Sequence, residues 1–200
     1  MSKKPPDPTP DQLRQIAPDI CHEVTALIQA RDLHDHAKRQ KDAAITEAGK
    51  DACQVGINCA LESFLLHYRA LREFLNLKAK LIKNGVSDDI KASDYLAAWK
   101  ASLTWVSDEA EGERLNKRLA HITTGRIKLD NKWNPEQMEW NALRTFEEFI
   151  SALPDTHKPL FQLAAAHINQ RKPKVLSTLA ESSNTCTVAT YTTFGDFRFK

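Results

Sequence analysis

Between Arg114 and Arg126 the stretch RLNKRLAHITTGR groups four basic side chains, Arg114, Lys117, Arg118 and Arg126, around a single histidine, His121. These residue types together suit chemistry on a phosphodiester. Guanidinium groups hold a phosphate through paired N–H donors and neutralise the charge that grows on it in a transition state. An imidazole moves a proton near neutral pH. At ~100° per helical residue, Arg114, Arg118 and His121 fall within a sector of roughly 60°, spaced i, i+4, i+7. Leu115, Leu119 and Ile122 form the adjoining apolar sector. The helix is therefore expected to bury one side and present Arg, Arg and His along its border. An imidazole half-buried there beside guanidinium groups has its cationic form disfavoured, which keeps it available as a general base. The competing reading is the solvated basic face of an ordinary helix, with His121 hydrogen-bonded at its edge.

Helices must position this cluster, and the sequence supplies them. A first helical stretch is expected from Asp11 through ICHEVTALIQARDLHDHAKRQ, with a break or kink near Pro18 and an apolar stripe of Ile20, Val24, Leu27 and Ile28. The widest apolar face is that of Ile57, Leu61, Phe64, Leu65, Tyr68, Leu71, Phe74 and Leu75, which marks a central helix expected to stop at Gly85 in NGVSDD. SDYLAAW reads as a short helix capped by Ser93 or Asp94, and SDEAEGERLNKRLAHITTGR as a helix opened by Ser107. WNPEQMEWNALRTFEEFISALP has Asn134 as cap, Pro135 at the first position, Pro154 as stop, and Leu143, Phe146, Ile150 and Leu153 as inner seam. PLFQLAAAHINQ adds a further helix. The expected fold is an all-α bundle of about five helices over residues 11–172. A flexible proline-rich arm (1–10) precedes it and a loosely ordered Ser/Thr-rich tail (173–200) follows, whose TCTVATYTTF has some strand propensity.

With the Arg–His spacing and this helix order in hand, the chain resembles the HEPN superfamily over roughly residues 50–155. These are small α-helical bundle domains, many of them metal-independent ribonucleases of toxin–antitoxin and phage-defence systems. Their motif is an arginine, four to six residues, then a histidine, facing a cleft usually formed at a dimer interface. Arg114 and His121, with six residues between them, match its outer limit. The order of ALESFLLHYRALREFL, SDDIKASDYLAAW and NKRLAHIT is similar as well. The chain departs from the family pattern after the arginine, where a polar residue is common and Leu115 stands here, with Asn116 one place later. The resemblance implies a homodimer that cuts RNA without metal or cofactor. His121 would be the base, Arg114 and Arg118 would hold the scissile phosphate, and Asn116 would assist. Lys117 and Arg126 would add contacts to the RNA. Glu62 or Arg69 of the central helix would meet the cluster and orient it, against the simpler reading of Arg69 paired with Glu73 along its own helix.

Other groupings are weaker. In RDLHDHAKRQKD, His34 and His36 are two apart and point to different sides of a helix, so a metal site is not expected; its basic residues could touch RNA phosphates instead. Trp99, Trp105, Trp133 and Trp140 would either stack on unpaired bases or seal helix junctions. Asp94 is better read as a cap, and Asp88 and Asp89 as loop residues, than as cation ligands. Cys21, Cys53, Cys59 and Cys186 form no CxxC pair and are expected to act as small apolar residues. The net charge of +2 is too small to argue for nucleic acid by itself, and no apolar run approaches the ~20 residues of a membrane span. The opening MSKKPPDPTPDQ has no apolar stretch, so the expected compartment is the cytoplasm. There is no glycine-rich phosphate loop, HExxH or nucleophile pattern. The alternative to the nuclease is a non-catalytic helical module, or a degenerate HEPN fold, that binds a cognate protein or RNA.

Overall fold

The computed structural model describes residues 7–76, 81–82, 85–86, 89–119 and 133–171. Among these the protein is an all-α bundle with six helices: α1 (Pro10–Ala43), α2 (Glu47–Leu75), α3 (Ala92–Tyr95), α4 (Glu109–Leu119), α5 (Pro135–Ala152) and α6 (Gln162–Arg171). α3 is a single turn, so five helices carry the bundle. Two 3-10 turns, Thr104–Val106 and Lys158–Phe161, lead into α4 and α6. A two-residue pairing joins β1 (Leu81–Ile82) antiparallel to β2 (Gly85–Val86). No helix among the described residues is long and apolar enough to cross a membrane. The expected tail lies outside the described residues.

α1 begins at Pro10, so the last of the residues expected to form a mobile arm are part of the helix start. Thr9 Oγ1 accepts from the Gln12 backbone at 3.2 Å, and Gln12 Oε1 accepts from the Thr9 backbone at 2.8 Å. This reciprocal cap satisfies two donors, and a proline at the first position lacks the N–H that would need a partner. α1 also runs unbroken through Pro18. The ring is exposed while Ala17 and Ile20 beside it are buried, so it lies where water can serve the carbonyl it leaves unpaired.

α2 ends at Leu75, ten residues before the glycine expected to stop it. The Asn76 backbone N–H bonds to the Arg72 carbonyl. The Trp99 indole N–H donates to the Leu75 carbonyl at 3.1 Å, and Lys91 Nζ to the Glu73 carbonyl at 2.9 Å. The last-turn carbonyls, orphaned in any helix, are thus served by side chains distant in sequence. Two caps also differ from expectation. Asp94 sits inside α3 and accepts from the Lys91 backbone at 2.7 Å, so it is not the cap. Asp108 rather than Ser107 caps α4, its Oδ1 accepting from Ala110 at 3.0 Å and Glu111 at 3.2 Å. α5 has the expected Asn134 cap and Pro135 start.

The α1–α2 hairpin forms one wall of the core, with Val24 and Leu27 of α1 and Phe64, Leu65 and Tyr68 of α2 fully buried in one apolar cluster. Each large apolar side chain so buried contributes about 1.5–3 kcal/mol. Phe149 of α5 is the aromatic hub, with edge-on neighbours Phe74 and Trp99 at 5.3 Å and Phe161 at 5.4 Å. It belongs to the α5 seam more fully than Ile150, which is only half-buried. Tyr95 ties α3 to α1 by donating to the Leu13 carbonyl at 2.7 Å.

Candidate functional site

The arginine strip begins where α4 is fastened to α2. Arg72, 9% exposed, donates from Nε to the Trp105 carbonyl at 3.1 Å and from Nη2 to the Asp108 carbonyl. Tyr68 donates to Glu111 Oε1 at 2.6 Å. Burial, and then that carboxylate, push the Tyr68 phenol far above its usual range, so it stays a neutral donor. Gly112 passes directly over Arg72, where a Cβ would come within 2.6 Å of Nη1. No larger residue fits there without moving the guanidinium. Leu115 then buries fully into the core, and Trp105 is fixed from the other side through Thr145 at 2.9 Å.

Beyond that anchor, Arg114 and Arg118 lie half-buried beside Leu115. The Arg114 guanidinium carbon lies 3.8 Å from the ring centre of Trp133, a cation–π contact. Arg118, 22% exposed, has Nη2 at 3.9 Å from Glu62 Oε1. Glu62 therefore does approach the cluster, across a long and half-solvated gap. Arg69 instead donates to Glu73 at 2.9 Å, one turn along its own helix. Lys117 pairs with Glu113 at 2.5 Å. Asn116 is exposed, and two residues from either arginine a helix turns by roughly 200°. It does not share their strip. His121 and Arg126 lie outside the described residues.

A cavity of about 460 Å³ opens beside this strip. From α1 it is lined by His34, Lys38, Lys41 and Asp42; from α2 by Gln54, Ile57 and Leu61; and from the start of α5 by Trp133 and Pro135. His34 is 8% exposed. Burial, and then Arg31 and Lys38, hold its pKa below the usual histidine value, which favours the neutral ring. Its Nδ1 lies 3.4 Å from Asp35 Oδ1. In the sequence this basic segment and Trp133 lie about ninety residues apart and read as separate features. The available signal was the i, i+4, i+7 spacing of His34, Lys38 and Lys41; nothing local indicates that Trp133 closes the same space.

At the turn of α1 that carries His34, an ionic cluster ties α1 to α5 and α6. Arg171 of α6 grips Glu139 of α5 through Nε at 2.8 Å and Nη2 at 3.2 Å, and reaches Asp32 of α1 at 2.6 Å. Arg31, which pairs with Asp35, lies 3.9 Å from Glu139. Burial nevertheless raises the Glu139 carboxyl above its usual range, outweighing the pull of Arg171 and Arg31.

Trp99 and Trp105 are buried and hydrogen-bonded, so they seal junctions; Trp140 is half exposed and Trp133 supports the cavity. Cys21 is buried, while Cys59 is exposed and Cys53 intermediate. Among the described residues no group of three or more His, Cys, Asp or Glu side chains converges as a metal site. Comparison of the chain with protein-family models, with curated proteins and with solved structures returns no match.

Proposed function

We propose that this chain is a HEPN-like endoribonuclease that acts as a homodimer and cuts RNA without a metal ion. The observation that carries this reading is the pair Arg114 and Arg118, held half-buried on one strip of an anchored helix, one on Trp133 and the other opposite Glu62. Guanidinium groups already restrained lose less freedom when they take a phosphate. The long Arg118–Glu62 pair leaves the guanidinium able to exchange a carboxylate for a phosphate.

In this reading His121 takes the proton of a ribose 2′-hydroxyl, and the 2′-oxygen attacks the adjacent phosphorus. The P–O5′ bond breaks as the 5′-oxygen takes a proton from water, leaving a 2′,3′-cyclic phosphate and a 5′-hydroxyl. Arg114 and Arg118 stabilise the charge on the phosphoryl oxygens. Asn116, on the opposite side of α4, has no part in the step.

Incubation of the protein with mixed RNAs in EDTA tests the reading. Wild type is expected to yield cyclic-phosphate ends, and His121→Ala to lower the rate by about 10²–10⁴-fold with helix content unchanged. Cleavage by His121→Ala at the wild-type rate would remove that residue from the step. Absence of cleavage by wild type would favour the non-catalytic interaction module.

A further inference from the structure

We propose that the cavity between α1, α2 and the start of α5 binds a nucleotide unit, its ring against Trp133 and its phosphate at Lys38 and Lys41. The proposal goes beyond the nuclease reading and does not require it, because a pocket can hold a nucleotide whether or not α4 cuts RNA.

The lining has the parts such a ligand needs, on separate walls. One side carries the Trp133 indole, one face of which already holds the Arg114 guanidinium and leaves the other for a base, with Ile57 and Leu61 one helical turn apart on α2. The other is cationic on balance: Lys38 and Lys41, three residues apart on α1, reach the same space and outnumber the single carboxylate there, Asp42. Lys38 is exposed and makes no ion pair among the described residues. Lys41 Nζ already donates to Gln54 Oε1 at 2.6 Å, which fixes its position and leaves two further donors. Base stacking on an aromatic ring tolerates any base, while ammonium groups supply the phosphate contact.

Two further observations point to an occupant. The Trp133 Nε1 donor is buried yet has no acceptor among the described residues, and a buried donor is rarely left so. His34 is buried at the same wall, in surroundings that favour its neutral form, with one ring nitrogen turned to Asp35. With Nδ1 donating to that carboxylate, the Nε2 of the neutral ring is left as an acceptor for a ligand donor. The volume of about 460 Å³ falls within the ~300–1,000 Å³ typical of small-ligand sites.

The same chemistry arises from a free nucleotide or from one residue of a single strand of RNA. Titration calorimetry with adenosine 5′-monophosphate, and separately with a 2′-O-methyl RNA hexamer, distinguishes them. The hexamer has no 2′-hydroxyl and so reports binding apart from cleavage. Binding of the monophosphate identifies a free nucleotide as sufficient; binding of the hexamer alone identifies an RNA segment. In either case Lys38→Ala, at an exposed position where folding is not at stake, is expected to weaken binding about tenfold or more, and Lys38→Arg to restore most of it. Trp133→Leu is expected to abolish it. If neither probe binds wild type, or if binding is unchanged in both Lys38→Ala and Trp133→Leu, the proposal is overturned. Failure of the nuclease reading would show instead as intact hexamer binding with no cleavage of ordinary RNA.

Discussion

Arg72 and Arg118 sit on facing helices a few turns apart, and they are used differently. Arg72 is buried and spends its donors on the Trp105 and Asp108 carbonyls, with Gly112 kept bare to make room for it. Arg118 is half-buried and, among the described residues, faces the exposed Glu62 carboxylate at 3.9 Å. The first is a strut. Its charge is consumed by those two carbonyls; the Asp108 carbonyl also accepts from the Gly112 backbone at 3.0 Å, so removing Arg72 strands chiefly the Trp105 carbonyl. The second is 22% exposed with a long pair to a half-solvated carboxylate, and its charge remains exchangeable. Burial of an arginine is therefore no measure of its function; what its donors touch decides.

Breaking the strut should produce the largest effect on stability. Arg72→Ala is expected to cost about 2–4 kcal/mol, read as a lower urea midpoint. Gly112→Ala should follow with a smaller loss, because a Cβ 2.6 Å from Nη1 must displace the guanidinium while the helix itself gains up to ~1 kcal/mol from alanine. The two should be non-additive: once Arg72 is alanine, Gly112→Ala should turn neutral or stabilising. Additive losses would mean that Gly112 is needed for another reason.

His34 sharpens the contrast as a buried group that is neither strut nor free. Its folded pKa lies below its unfolded value of about 6.5. The unfolded chain therefore binds the proton first, and stability present above pH 6.5 is lost as the pH falls below it. The urea midpoint should drop between pH 7 and 5.5, and His34→Gln should flatten part of that slope. An identical slope in the variant would show that other groups dominate.

What the sequence reveals and what it hides follow the same division between local and distant partners. α5 is legible because Asn134, Pro135 and Pro154 act within one turn of its ends. The stop of α2 is not, because Lys91 and Trp99 supply the partners for its last carbonyls from 18 and 24 residues beyond them. The reach of Glu62 towards Arg118 follows from the central position of α2, whereas Arg69 found a nearer carboxylate on its own helix. Asn116 stands two residues from both arginines, a turn of roughly 200°, so adjacency in sequence is no guide to which side chains share the strip. The cavity needs three elements, and only the α1 spacing carried a local trace of it.

The central claim is that Arg118 is held for a ligand and Arg72 for the fold. Arg118→Ala separates these in one preparation, by its melting temperature and its rate of RNA cleavage in EDTA. A half-solvated pair of this kind is worth about 0–1 kcal/mol, so the melting temperature should scarcely move while cleavage falls by about 10²-fold or more. A variant that melts well below wild type yet cuts RNA at the wild-type rate would make Arg118 a second strut and contradict the account.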